Sequence, residues 1–174
     1  MNLVLIGLRG SGKTTAGRIL ARRLGLAFVD ADAEIERRTG RSLADIFARD
    51  GEERFRELER ETMRDLLERD GLVLAAGGGC VLDAGVRQAL GRAGTAVWLD
   101  AGPDARAARI AGSGRPPLTA HGGGAVEERE VARVREPLFR ECAAHRVETD
   151  RRTSEEVADD VEHFWRALPG RDVR

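Results

Sequence analysis

Lysine is nearly absent from this chain of 174 residues: of its 29 Lys and Arg residues, only Lys13 is a lysine. Tyrosine is missing altogether, although low aromatic content decides nothing about function. Cysteine is scarce as well. Cys80 and Cys142 lack the close spacing of a metal site and are too few for a disulfide scaffold, so they read as reduced thiols. His121, His145 and His163 are scattered without ligand spacing. No apolar run approaches the length that crosses a bilayer, and the first strand pattern begins at residue 2, leaving no room for a signal peptide. A formal net charge of −1 gives no signal for nucleic acid or membrane. A cytoplasmic protein of one domain is expected at this length, with neither of those partners.

What is present explains the lone lysine. It stands in Gly7-Leu8-Arg9-Gly10-Ser11-Gly12-Lys13-Thr14, which satisfies G-x-x-x-x-G-K-[ST] in full. In a chain that otherwise uses arginine, a lysine marks a place arginine cannot fill. A phosphate-binding loop needs a compact ammonium on a flexible stem, where a planar guanidinium fits badly. Residues 2–6 read as a buried parallel strand, and a helix from Thr14 to Leu24 ends at Gly25. Strand, glycine-rich turn and helix N-terminus aim backbone N–H groups and the positive end of the helix dipole at an anion. A nucleoside triphosphate is the expected ligand. Gly10, Ser11, Gly12, Lys13, Thr14 and Thr15 would cradle it, with Lys13 on the β and γ phosphates and the Thr14 hydroxyl on Mg²⁺.

Strand and helix signals then alternate. Strands are expected at 26–29, 72–76, 95–99 and 146–149. Helices are expected at about 31–39, 42–49, 52–69, 83–91 and 103–111, then from 125 with a break or kink at Pro137, and from Thr153 onward. Ser42 with Asp45 and Thr153 with Glu156 resemble capping boxes. Residues 112–124 hold five glycines and two prolines and read as a mobile loop. The interleaved charges of Glu52 to Glu61 read as a solvated helix face. The pattern predicts an α/β fold, a three-layer αβα sandwich on a five-stranded parallel sheet, with ligands at the carboxyl ends of the strands.

Asp30 and Asp32 end the second strand, at the edge where ligands collect. One carboxylate there can hold Mg²⁺ through water, while a second orients or deprotonates an acceptor hydroxyl; either could instead cap the next helix. Asp100 offers a loose alternative for the metal, but Gly102-Pro103 after it favours a role in helix entry. Gly77-Gly78-Gly79 follows a strand and lets backbone approach a ligand. Arg115, on the glycine-rich loop, could close over the γ-phosphate.

These residues resemble the shikimate kinase family, P-loop kinases related to the nucleoside monophosphate kinases, over nearly the whole chain from residue 2 to about 165. The carriers are residues 7–14, Phe28-Val29-Asp30-Ala31-Asp32 with Ile35-Glu36, Thr39 to Phe47, Gly51-Glu52 with Phe55 to Glu59, Gly77 to Gly79, Arg115-Pro116, and Arg135 to Leu138. The resemblance implies ATP-dependent phosphorylation of the 3-hydroxyl of shikimate, giving shikimate 3-phosphate and ADP, in the chorismate branch of aromatic amino-acid biosynthesis. It implies one domain over 1–174, with an acceptor-binding segment at about 31–60 and a lid at about 112–124. Asp32, Arg56, Gly78, Gly79 and Arg135 would contact shikimate, Asp30 would reach Mg²⁺ through water, Arg109 would pack against adenine, and Arg115 would be the lid arginine. Lys13, Asp32 and Arg115 form the implied catalytic set, and a monomer is expected. The lid departs from the family pattern, with Arg115-Pro116-Pro117-Leu118 where Arg-Pro-Leu-Leu is usual. Two rival readings are a different small-molecule kinase, such as a gluconate kinase, and a non-catalytic shikimate-sensing domain.

Overall fold

The computed structural model describes residues 1–93, 95–111 and 125–169, without the side chains of 125–127. The proposed lid at 112–124, Arg115 included, lies outside the described residues. In chain order the elements are β1 (Leu3–Ile6), α1 (Lys13–Leu24), β2 (Ala27–Asp30), α2 (Ala31–Thr39), α3 (Leu43–Leu67), β3 (Leu72–Ala75), a 3₁₀ turn (Cys80–Leu82), α4 (Ala84–Ala93), β4 (Ala96–Asp100), α5 (Pro103–Ile110), α6 (Ala125–Cys142), β5 (His145–Glu148) and α7 (Ser154–Ala167). The strands form one parallel sheet in the order β2-β3-β1-β4-β5.

Alternation along the strands fills two layers. Leu3, Leu5, Val73, Val97 and Leu99 face α1 and α7, packing on Leu20, Val157 and Val161. Val4, Ile6, Leu74 and Trp98 face the other way, onto Met63 and Leu66 of α3, Leu90 of α4 and Phe139 of α6. Side chains of period two on strands buried on both faces make the three-layer sandwich the sequence predicts. A satellite core of Ile35, Ile46 and Phe55, with the Phe47 ring tilted against Phe55 at 4.5 Å, holds α2 against the first half of α3.

α3 is two helices meeting at a kink at Gly51, in keeping with the separate helices expected at 42–49 and 52–69; its φ of 82° is open to glycine but strained for other residues. Three expectations change. α6 runs through Pro137 as one helix without a break; Val131 before it and Phe139 and Cys142 after it are all buried in the core, and that packing offsets the hydrogen bond proline cannot make. Asp100 neither leads a helix nor faces the phosphate loop. Its carboxylate holds Arg146 at 2.5 and 2.9 Å, and helix entry falls to Asp150, which accepts the Gly102 N–H at 3.0 Å. Most strand bounds also differ from expectation by about a residue, a shift that places Asp30 within β2 and Thr149 just past β5.

Candidate active site

β1 is the centre of the sheet, with β3 and β4 on either side of it. The chain leaves β1 into α1 on one face of the sheet and leaves β3 toward α4 on the other, so a crevice opens at the carboxyl ends of these neighbouring strands. A cavity of about 560 Å³ occupies that crevice. The loop after β1 forms its floor, the ends of β2 and β3 one side, and α5 with the loop after β5 the other.

On the floor, Gly10 has a φ of 80°, and a Cβ there would press on the Arg106 carbonyl and the Ile110 side chain at 3.0 Å. Glycine therefore lets α5 close on the loop. Gly12 caps α1 in the left-handed region. Lys13 Nζ donates to the Gly7 and Leu8 carbonyls, each at 2.8 Å, folded against the loop it serves. Thr14 Oγ1 donates to Asp30 Oδ2 at 2.7 Å. The other Asp30 oxygen accepts the Asp32 N–H at 3.1 Å, so Asp30 is the residue that caps α2, and Asp32 lines the cavity. A hydroxyl and a carboxylate meeting at the phosphate loop are hard oxygen donors of the type Mg²⁺ uses beside substrate phosphates, and the pair fits that ion. Among the described residues no cluster of three or more His, Cys, Asp or Glu makes an all-protein metal cage.

On the β2–β3 side, Asp32, Arg56, Gly78, Gly79 and Arg135 line the same cavity. Arg135, from α6, is 4% exposed, and no carboxylate pairs with it among the described residues. Burial, and then the nearby Arg56 charge, push its pKa below the ordinary guanidinium range. Arg56 is held on its own helix by Glu59 at 2.8 Å and Glu52 at 3.2 Å. Glu59, which the sequence places on a solvated helix face with no role in the site, is 3% exposed, and its other oxygen accepts the Gly79 N–H at 3.2 Å. The signal was present: Phe55, Glu59, Thr62, Met63 and Leu66 recur at helical spacing and are all buried. A Cβ on Gly79 would collide with the Arg56 guanidinium and the Glu59 carboxylate, whereas one on Gly78 would reach Arg135 Nη1 at an ordinary 3.6 Å. The glycines thus give room to the protein's own charged pair as much as to a ligand.

On the far side the cavity is lined by Arg109, Ile110, Thr149, Arg152, Ser154 and Val157. Arg109 Nη1 donates to Thr149 Oγ1 at 3.0 Å and to the Gly10 carbonyl at 3.2 Å, and Nη2 to the Thr149 carbonyl at 2.7 Å. Thr149, Arg152 and Ser154 carry no motif that marks them in a lone sequence.

A parallel α/β sheet with this loop on its central strand, and a charged acceptor side to the same cavity, defines a P-loop kinase of small molecules. A family model described as shikimate kinase matches residues 9–166. A shikimate kinase of Mycobacterium avium is 46% identical over 172 residues, covering 98% of this chain and 94% of that protein. One from Symbiobacterium thermophilum is 44% identical over 163 residues, covering 92% and 94%. The structure of Acinetobacter baumannii shikimate kinase in complex with shikimate superposes with a TM-score of 0.91 at 34% identity, covering 98% of this chain and 95% of that one. The chain belongs to the shikimate kinase family.

Proposed function

We propose that the chain transfers the γ-phosphoryl group of ATP to the 3-hydroxyl of shikimate, acting as one domain, a monomer, in the cytoplasm. The observation that carries this reading is the pairing, in one cavity, of the phosphate loop with Asp32, Arg56 and Arg135. Two guanidiniums, one of them buried without a carboxylate, form a seat for a small planar carboxylate. Asp32 beside them suits the ring hydroxyls of the same molecule. In the step itself the 3-hydroxyl oxygen bonds to the γ-phosphorus, the bond to the β,γ-bridging oxygen breaks, and ADP departs. Asp32 orients the hydroxyl and takes its proton. Lys13 and, from outside the described residues, Arg115 offset the charge on the transferring group. Thr14 directly and Asp30 through water would hold Mg²⁺, which when bound neutralises phosphate charge. Two free, buried cysteines suit a reducing compartment.

The rival readings have less support. A pair of arginines, one of them buried, suits a carboxylate fixed on a rigid ring better than the open chain of gluconate, and a sensing domain has no use for an intact Lys13 and Asp32. The test is mass spectrometry of products after incubation with ATP, Mg²⁺ and a panel of acceptors. Shikimate 3-phosphate is expected. Phosphorylated gluconate with shikimate untouched refutes the assignment, and shikimate binding without any phosphoryl transfer favours the sensor.

A further inference from the structure

Thr149 lies just past the end of β5 and is 1% exposed. Its N–H donates to the Asp100 carbonyl at 2.8 Å, so the sheet fixes its position. Both its oxygens accept from Arg109, the hydroxyl at 3.0 Å and the carbonyl at 2.7 Å, and Arg109 reaches on to the Gly10 carbonyl of the phosphate loop. No carboxylate pairs with Arg109 among the described residues, although it stands exposed at the end of α5. An arginine so placed would ordinarily sample many rotamers. Here its terminal nitrogens are turned onto protein acceptors, which leaves few donors for a phosphate and fixes the plane of the guanidinium. That face is weakly hydrated and stacks on heteroaromatic rings. Ile110 and Val157 supply apolar walls to the same end of the cavity.

We propose that Thr149 is a positioning residue for nucleotide recognition: its hydroxyl locks Arg109 as a platform for the nucleobase of the triphosphate and ties that platform to Gly10. This rests on the reading that Arg109 packs against the base. The support is shared with the phosphate loop, because Gly10 also meets α5 through Arg106 and Ile110. Base contact and phosphate contact are therefore held by one piece of structure.

The test is steady-state kinetics of Thr149→Val, which keeps the side-chain shape and the carbonyl bond but loses the hydroxyl. KM for ATP is expected to rise about 3- to 10-fold, the scale of one ordinary net hydrogen bond, since the carbonyl bond to the same guanidinium is kept. kcat at saturating ATP and KM for shikimate stay within twofold, and Thr149→Ser restores the wild-type KM. Inhibition by inorganic tripolyphosphate, which has no base, is unchanged. Arg109→Lys, on an exposed side chain that cannot bridge the same acceptors, reproduces the effect if the Val variant fails to fold. In an Arg109→Ala background, Thr149→Val adds nothing. An unchanged KM for ATP in Thr149→Val while Arg109→Ala raises it overturns the positioning role alone. Equal weakening of tripolyphosphate overturns it too, as a general disturbance of the loop. An Arg109→Ala variant with wild-type KM for ATP defeats the underlying reading of Arg109.

Discussion

Two residues carry the tightest constraints. Lys13 Nζ sits 2.8 Å from two loop carbonyls at once, a seat sized for an ammonium. Lys13→Arg keeps the charge but not the size, and is expected to lower kcat on the order of 10²-fold or more with the fold intact by circular dichroism. Turnover near wild type in a coupled ADP-release assay would make the lone lysine a compositional accident. Glu59 is the counterpart on the acceptor side. It is the buried carboxylate that holds Arg56 toward the cavity while also receiving the Gly79 N–H. Glu59→Gln keeps the shape and removes the charge, so Arg56 is held less firmly beside Arg135. KM for shikimate is expected to rise about tenfold, the scale of a charged hydrogen bond replaced by a neutral one. ATP affinity measured without shikimate stays unchanged. An equal loss for both ligands by calorimetry would instead mark Glu59 as a residue of general stability.

Elements were legible where the pattern was strong and local. Unbroken apolar runs announced β1, β3 and β4, and the capping pairs Ser42 with Asp45 and Thr153 with Glu156 announced two helix starts. The sequence misled where tertiary packing overrides local preference. α6 passes through Pro137 because the core grips it on both sides, and the second half of α3 buries Glu59 on what reads as a charged face. Asp30 and Asp32 could be placed at a strand end, but not which of them caps α2, since that depends on one side-chain rotamer. Gly79 shows how closely the element ends meet. Gly79→Ala drives a methyl into the Arg56–Glu59 pair and is expected to cost about 1–3 kcal/mol in urea unfolding, whereas Gly78→Ala, with its nearest atoms at 3.6 Å, costs less. Equal costs would mean the pair yields freely. α2 carries a pH-dependent contribution. Hydrogen bonds, first from Arg37 and then from Arg38, hold the Glu34 carboxyl at a pKa of about 2 against an ordinary 4.5. The native state then binds fewer protons than the unfolded chain between those values, so this stability is present above about 4.5 and lost as pH falls toward 2. Glu34→Gln is expected to lower stability at pH 7 and to flatten the loss across that window. Parallel pH profiles for the two proteins would show that Glu34 contributes nothing.

At the scale of the whole molecule, the formal net charge of −1 is made up largely of local pairs. Most arginines among the described residues are matched by acids, as Arg23 is by Glu155, Asp159 and Glu162. At the acceptor side of the cavity one arginine stands outside this pairing. Arg135 is buried without a carboxylate and near Arg56, and its lowered pKa means the folded protein opposes its charge. Stability and affinity therefore pull in opposite directions at this point. In the proposed reaction the missing anion is the carboxylate of shikimate, which restores the balance on binding. Arg135→Met, apolar and similar in length, removes the opposed charge while filling the space. It is expected to raise the thermal midpoint of the ligand-free protein by a few degrees. It is also expected to abolish the further rise that shikimate gives the wild type through its preferential binding to the folded state. Thermal unfolding of both proteins, with and without shikimate, measures the two effects together. A Met variant less stable than the wild type would show that Arg135 is a net support of the fold, its attraction to Glu59 and Glu52 outweighing burial. A Met variant still stabilised by shikimate to the full wild-type extent would remove Arg135 from the carboxylate seat.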